Sequence, residues 1–342
     1  MRIVVVGATG NIGTALLRAL TARSSVTSVD AVSRRGPGRL SLQTRYALRH
    51  HELDVATPEG AQALGALTAG ADAVVDLAWA HDERPGRAGR TTALNRDISR
   101  GVLAAAAGAK QLVALSCATA YAPNYGAEPI DEDWPTTGAS DSPLAQDKVA
   151  FEGLLDAFAS AHPGVALTRL RPATTLQESA GAELVRRHLS ALVPRLGLGE
   201  DVPVLLWPEG LGLQVAHAED VAAAIVAAVE RRMPGAFNLA CDQALDGEQV
   251  AEAIGAKRLI TIPRSAASVG HTVAWWTRLV RASPQWLDTL AAMPALDTQK
   301  SQRMLGVRAQ WTSTGTIRAA ARGISVRREG WTPALSRHDA EE

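Results

Sequence analysis

The chain is predicted to be an α/β protein built on a doubly wound parallel sheet, and three observations predict this. Short β-rich runs alternate with Ala- and Leu-rich helical patterns through the first 240 residues. Several of those runs are apolar throughout rather than alternating, as strands are when helices cover both faces of their sheet. A glycine-spaced turn, GATGNIG, joins the first such run to the first helical stretch.

In chain order, IVVV ahead of Gly7 is the first strand, and Gly13 to Ala22 is an amphipathic helix. VTSVDAVS, ADAVVDLA, KQLVALS and VALTRLRP follow as further strands. RRGPGR, HDERPGRAGR and the stretch from Pro123 to Ser142 carry the turn residues of loops. In SPLAQDK, Ser142 can cap a helix and Pro143 suits its first turn, so Leu144 and Lys148 should share one helix face a turn apart. Beyond residue 175 the alternation fades, and six of the eight tryptophans lie past residue 200: Trp207, Trp275, Trp276, Trp286, Trp311 and Trp331. They either staple a small irregular region or line an apolar pocket.

With 342 residues, 46% of them hydrophobic, the chain can bury a sizeable core and form about two domains. Its 35 basic side chains balance 35 acidic ones, so no net field draws it to nucleic acid or to an anionic membrane. Met1-Arg2 leads straight into a strand without the pattern of a signal peptide. No apolar run approaches the roughly 18 to 20 residues that span a bilayer. Cys117 and Cys241 lie far apart without metal-ligand spacing. A cytoplasmic protein that handles small molecules and holds no metal is the expectation.

VVVGATGNIG sets Gly7, Gly10 and Gly13 after a strand and at the start of a helix. A turn this tight needs residues without a β-carbon, so that main-chain N–H groups can approach a pyrophosphate at the positive end of a helix dipole. The flanking strand and helix turn a weak motif into a specific one for a Rossmann-type dinucleotide site. About twenty residues further on, where an NAD site offers an acid to the ribose, the strand ends in Ser33-Arg34-Arg35. Two guanidinium groups there suit a 2′-phosphate and Ser33 can add a hydrogen bond, so NADP(H) is favoured over NAD(H). Solvated turn arginines are the alternative, and Asp30 lies too early in the strand to supply the missing acid.

From these residues on, the sequence resembles the extended short-chain dehydrogenase/reductase family of NAD-dependent epimerase/dehydratase type, almost end to end. GATGNIG is similar to that family's G-x-x-G-x-x-G, Asp54-Val55 to its adenine-contacting pair, VVDLAWA to the strand under the adenosine, and Asn95 in LNRD to its helix asparagine. EPIDEDWP, LRPATTL, QVAHAEDVAAAI, GAFNLAC and LDTQKSQRMLG continue the series in order. The resemblance implies cofactor contacts from Gly7, Thr9, Gly10, Asn11, Ile12, Gly13, Ser33, Arg34, Arg35, Asp54, Val55, Leu77, Ala78, Asn95 and Lys148. It also implies a dinucleotide-binding domain over residues 1–175, joined by a strand and helix from 212–240. A mostly substrate-binding region over 176–330 and a frayed polar tail over 331–342 complete the expected organisation. Homodimers through the helices bearing Asn95 and Lys148 are a further implication.

The family's proton chemistry uses a Ser or Thr at a strand end and a Tyr four residues before a Lys. The ammonium and the oxidised nicotinamide lower the phenol's pKa so that it can exchange a proton with substrate. Here Lys148 is retained, Cys117 stands at the Ser/Thr position and Leu144 at the Tyr position. The usual proton carrier is therefore missing. Lys148 can still position a nicotinamide ribose; Cys117 is either a weak donor or thiolate, or merely a small buried residue. Tyr125, in a loop over the site, Tyr121, and His81 are substitute acids or bases, set against structural or solvated roles for each. Asp147 and Glu152 are expected to pair on the helix surface, and His217 to be structural.

Three functions fit: an NADP(H)-dependent oxidoreductase or epimerase for a small, apolar organic substrate, a non-redox cyclase, isomerase or dehydratase on the same scaffold, and a sensor of cofactor redox state. The scaffold does not choose among them, because fold transfers between functions more readily than a site does.

Overall fold

The computed structural model describes residues 1–37, 42–82, 86–124, 126, 128–188 and 202–336. Its first half runs β1 (Arg2–Val6), α1 (Asn11–Leu20), β2 (Ser28–Ser33), β3 (Ala47–Glu52), α2 (Pro58–Thr68), β4 (Ala73–Asp76), α3 (Ala88–Ala106), β5 (Gln111–Leu115), α4 (Pro143–Ala161) and β6 (Ala166–Pro172). The second half adds β7 (Thr174–Leu176), α5 (Gly181–His188), β8 (Leu205–Pro208), β9 (Val215–His217), α6 (Ala218–Arg231), β10 (Gly235–Leu239), α7 (Gly247–Ile254) and β11 (Leu259–Ile262). Four helices close the chain: α8 (Arg264–Trp276), α9 (Gln285–Ala292), α10 (Gln299–Met304) and α11 (Ser313–Ser325).

Seven strands form one parallel sheet in the order β10-β6-β5-β4-β1-β2-β3. Side chains alternate across it. Ile3 and Val5 enter a core with Leu16, Leu17 and Leu20 of α1 and Val221 and Ile225 of α6, whereas Val4 and Val6 face Leu64, Val102, Phe151 and Leu155 on α2, α3 and α4. This double burial is why β1 is apolar at every position, and each such side chain removed from water contributes about 1.5–3 kcal/mol.

β3 was not legible as a strand, because ALRHHE is a half-exposed edge segment with little apolar content. Its His51 Nε2 lies 2.9 Å from Asp30 Oδ1, which makes Asp30 a buried partner of β3 and removes it from cofactor recognition.

β7 pairs with β9 and β8 with β11, each in a small parallel sheet. Around them Val215, Leu245, Val250, Ile254 and Ile317 form a separate core, with Trp207 and Trp311 packed on its rim. Trp311 also stacks on His217, ring centroids 3.8 Å apart, and donates to Glu219. Trp331 packs against the main core. These three tryptophans are staples.

The expected tail needs correction. Residues 331–336 are docked rather than frayed: Leu335 is fully buried, and the buried Thr332 hydroxyl donates to the Thr9 carbonyl at 2.6 Å. Polar composition concealed this, because one aromatic and one leucine suffice to dock a short segment. The remainder of the expected tail, from residue 337, lies outside the described residues.

Candidate active site

Chain order along the sheet reverses between β1 and β4, and in doubly wound sheets the crevice at such a switch point receives the ligand. The three glycines of the loop after β1 do different work there. Gly7 has φ +82°, and a Cβ on it would lie 2.8 Å from the Leu77 backbone, so it permits the turn and the approach of the β4 end. A Cβ on Gly13 would lie 2.5 Å from the Gly7 carbonyl oxygen, so α1 reaches the sheet only without one. Gly10 meets only the Gly7 oxygen, at 3.4 Å, and is the glycine left open to a ligand.

No side chain caps α1 at Gly10, and the Thr14 N–H makes the first bond back to the Gly10 carbonyl. The N–H groups of Asn11, Ile12 and Gly13 therefore precede the hydrogen-bond ladder, the arrangement that binds pyrophosphate. The Asn11 side chain is held by neighbours: its Nδ2 donates to the Thr175 carbonyl (3.0 Å), and Gln177 Nε2 donates to its Oδ1 (2.7 Å). Gln177 also accepts from Arg18, so β7 and its following turn lock the first turn of α1. The motif gave no sign of Gln177 or Thr332, which act on the loop from 160 or more residues away.

At the end of β2, Gly7 and Ala8 both donate to the Val32 carbonyl, which sets Ser33, Arg34 and Arg35 beside the glycine loop. The Ser33 hydroxyl donates to the Arg35 carbonyl at 2.6 Å, which shapes the turn. Arg34 is exposed and Arg35 partly so. Glu52 of β3 approaches the same turn; a Cβ on Gly36 would lie 3.2 Å from its Oε2.

Asp54 and Val55 follow β3. The Asp54 carboxylate accepts from the Ala56 N–H, Val55 is buried, and the backbone of the two packs on Gly60 and Gly101. Leu77 and Ala78 extend β4 beside the loop. Asn95, buried on α3, accepts from the Ala80 N–H (2.8 Å) and donates to the Ala80 carbonyl (3.1 Å), so its amide fixes the backbone after β4.

Ser142 caps α4 by accepting from the Ala145 N–H, Pro143 opens the helix, and Leu144 stands one turn before Lys148 as expected. Lys148 is buried. Its Nζ lies 3.4 Å from the Leu115 carbonyl oxygen and 3.4 Å from the centroid of the Trp79 ring, with Phe151 at 5.3 Å. Trp79 and Phe151 meet edge to face, and this aromatic bracket was not read from sequence, although WA after LA places the indole beyond the β4 end. Burial lowers the Lys148 pKa, while Cys117, Asp76, Glu152 and Asp147 oppose the shift.

Asp76, at the end of β4, is the other group displaced here. Burial pushes its pKa up to about 6, against the pull of the Ala78 N–H and Lys148. A carboxyl raised above its unfolded value of 3.8 favours folding most when protonated; that contribution is full below the unfolded value and is lost as pH rises through about 6. Asp76→Asn keeps an acceptor for Ala78. It is expected to flatten the fall in melting temperature between about pH 4 and 6 and to be at least as stable as the wild type at neutral pH. A variant curve parallel to the wild type would contradict this placement.

Cys117 is partly exposed and its Sγ lies 2.6 Å from Thr119 Oγ1, so the thiol is engaged locally. Tyr121 is corrected to a core residue, 1% exposed: its hydroxyl donates to Asn238 (2.7 Å) and accepts from Arg171 (3.0 Å), and burial pushes its pKa up to about 12. Glu152 is not on the helix surface. It is buried in a two-point pair with Arg171, at 2.8 and 3.1 Å, with Arg169 also at 3.1 Å. Asp147 accepts from Thr92 of α3. His81 is exposed to solvent beyond the end of β4. Tyr125 lies outside the described residues. Tyr46, the remaining tyrosine, donates to the Leu17 carbonyl on the far side of α1. Among the described residues, then, no phenol is available beside Lys148.

A model of the NAD dependent epimerase/dehydratase family matches residues 3–240. No curated protein matches the chain. Solved structures are similar over nearly its whole length. A short-chain dehydrogenase/reductase superfamily protein from Agrobacterium tumefaciens, with bound NAD, has TM-score 0.67 at 20% identity, covering 96% of this chain and 98% of that one. UDP-glucose 4-epimerase from Bifidobacterium longum, in complex with NAD+ and UDP, has TM-score 0.66 at 18% identity, covering 96% and 98%. UDP-glucose-4-epimerase from Stenotrophomonas maltophila, with bound NAD and formylated UDP-arabinopyranose, has TM-score 0.67 at 18% identity and the same coverage. At these identities the likeness concerns the fold. With the family match spanning well over half of its residues, the chain belongs to the NAD-dependent epimerase/dehydratase family.

Proposed function

We propose that this chain binds NADP(H) and works as an atypical short-chain dehydrogenase/reductase on a small, apolar organic substrate, with its proton supplied from somewhere other than the usual tyrosine. The observation that carries the reading is the pairing of a complete glycine cradle with Leu144 at the phenol position before Lys148. Gly10, the open N-terminus of α1, and the guanidinium groups of Arg34 and Arg35 would hold the dinucleotide's phosphates. When bound, the nicotinamide supplies a hydride acceptor or donor.

Lys148 donates hydrogen bonds from a buried ammonium. Asp76 and Glu152 offset its charge and the Trp79 face stabilises it by a cation–π contact, typically about 0.5–2 kcal/mol. Leu144, one turn before Lys148, and Trp79, on the Lys148 ammonium, are apolar and both partly exposed, which would suit a substrate poor in hydroxyl groups. The proton would then come through Tyr125, Cys117, His81 or water. NAD in the three solved relatives, together with Glu52 beside the β2 turn, supports NAD(H) as the second reading of the cofactor. Pairing of two copies through α3 and α4 remains part of the proposal. Among the described residues no helix is long and apolar enough to cross a membrane.

The test is turnover followed by nicotinamide absorbance across a panel of small ketones, alcohols and enones, with sugar nucleotides as a control group. Substrate-dependent oxidation of NADPH that falls at least about a hundredfold in Tyr125→Phe or His81→Ala would identify the displaced donor. Product formed equally well after the cofactor is stripped would replace the redox reading with the non-redox one. Trp79→Leu is expected to raise the Kd for NADPH several-fold, because Lys148 loses the ring that holds its ammonium. An unchanged Kd would show the indole to be a bystander.

A further inference from the structure

We propose that α8 and the adjoining β8–β11 sheet form a docking surface for an anionic lipid membrane. α8 contains no buried residue. One face of it, carrying Ser268 and His271, turns to α9: Ser268 donates to Asp288 at 3.3 Å, and His271 lies 6.1 Å from the Trp286 ring with its Nε2 at the Ser283 carbonyl. A different face carries Val269, Val273 and Trp276, spaced by four and three residues and 65%, 57% and 70% exposed. Leu279 continues the stripe past the helix end at 45%. Beside it, Leu206 and Ile260 stand in register on β8 and β11, 58% and 40% exposed, so the small sheet adds apolar surface next to the helix that packs on it.

Charge selects the occupant. Between residues 257 and 287 the chain has five basic side chains, Lys257, Arg258, Arg264, Arg278 and Arg281, and no acidic one, whereas the remainder has an excess of five carboxylates. The even whole-chain balance that argued against membranes hides this asymmetry. Arg264 spans the N-terminal end of α8 by donating to the Glu209 and Gly210 carbonyls, and Arg281 donates to the Arg186 carbonyl; these acceptors are backbone carbonyls, not carboxylates. From neighbouring elements, Asp288 of α9 brings one carboxylate to α8 as the acceptor of the Ser268 hydroxyl, and Glu209 meets Arg264 through its backbone carbonyl. An exposed stripe of aliphatic side chains and tryptophan flanked by arginines is the pattern of a helix that lies in a lipid interface, where the indole sits at headgroup depth and the cations meet anionic headgroups. A protein partner or a second copy would fit the apolar stripe but gives no reason for a segment stripped of carboxylates. This surface is independent of the cofactor reading.

The experiment is flotation of the full chain with vesicles of phosphatidylcholine alone and of phosphatidylcholine with phosphatidylglycerol, for the wild type, Trp276→Glu and Val273→Glu. Both positions are exposed, and unchanged melting temperatures would show that the variants fold. The expected result is flotation with the anionic vesicles only, weakened by salt and reduced at least about tenfold in each variant. Absence of flotation by the wild type, equal flotation with neutral vesicles, or flotation unaffected by the substitutions would overturn the proposal. Self-association that the same substitutions abolish, without vesicle binding, would assign the surface to a second copy instead and equally overturn it.

Discussion

Gly13→Ala is expected to abolish dinucleotide binding while leaving a folded but weakened protein. The added methyl would stand 2.5 Å from the Gly7 carbonyl oxygen and 2.6 Å from the Ala8 backbone, atoms that cannot rotate away. Either α1 lifts from the sheet or the loop deforms, an overpacking cost of about 1–3 kcal/mol. The same displacement moves the N–H groups of Asn11 and Ile12 off the pyrophosphate position, so an affinity loss of about a hundredfold or more is expected. Gly65→Ala in α2 is the contrast, since nothing lies within 4 Å of its Cβ position. That change should stabilise by up to about 1 kcal/mol and leave binding untouched. Denaturant unfolding and calorimetric titration of both variants check the pair, and Gly13→Ala with wild-type affinity would contradict the cradle geometry.

The second large effect lies beneath the site. Arg171 and Glu152, with side chains 6% and 3% exposed, hold each other at two points, and Arg171 also donates to Tyr121 and to the Glu132 carbonyl. The pair raises the Arg171 pKa and lowers that of Glu152 despite burial. Removing one partner strands a charge away from water: Arg171→Met is expected to cost about 3–5 kcal/mol, toward the lower figure because Arg169 stays at 3.1 Å from Glu152. Replacing both, as Arg171→Met with Glu152→Leu, should recover much of the loss, since a buried ion pair contributes little over an apolar pair of similar volume. Equal losses in the single and double variants, measured by urea unfolding, would contradict this.

The parallel sheet was legible because double burial writes itself as unbroken runs such as IVVV and AVVD, and because a glycine turn admits few side chains; the order of its strands was not read from sequence and comes from the pairing in the structure. Edge strand β3 lacked that signature. The α4 start was legible from Ser142 and Pro143, and with it the Leu144–Lys148 spacing. What sequence could not supply were contacts made at long range. Gln177 and Thr332 hold the loop, Trp79 holds the lysine, and Glu152 was read as a surface pair because its helix position says nothing about an arginine arriving from β6. For Ser33, nothing in the sequence signalled the bond its hydroxyl makes to the Arg35 carbonyl.

The central claim is that a phosphate cradle biased toward the 2′-phosphorylated cofactor is intact while the phenol of the proton relay is gone. Calorimetric titration of the wild-type chain with NADPH and then NADH tests it most directly. The account predicts that both bind, NADPH about tenfold or more tightly, and that Arg34→Ala combined with Arg35→Ala removes the difference. Failure of either cofactor to bind, or tighter binding of NADH, would contradict it.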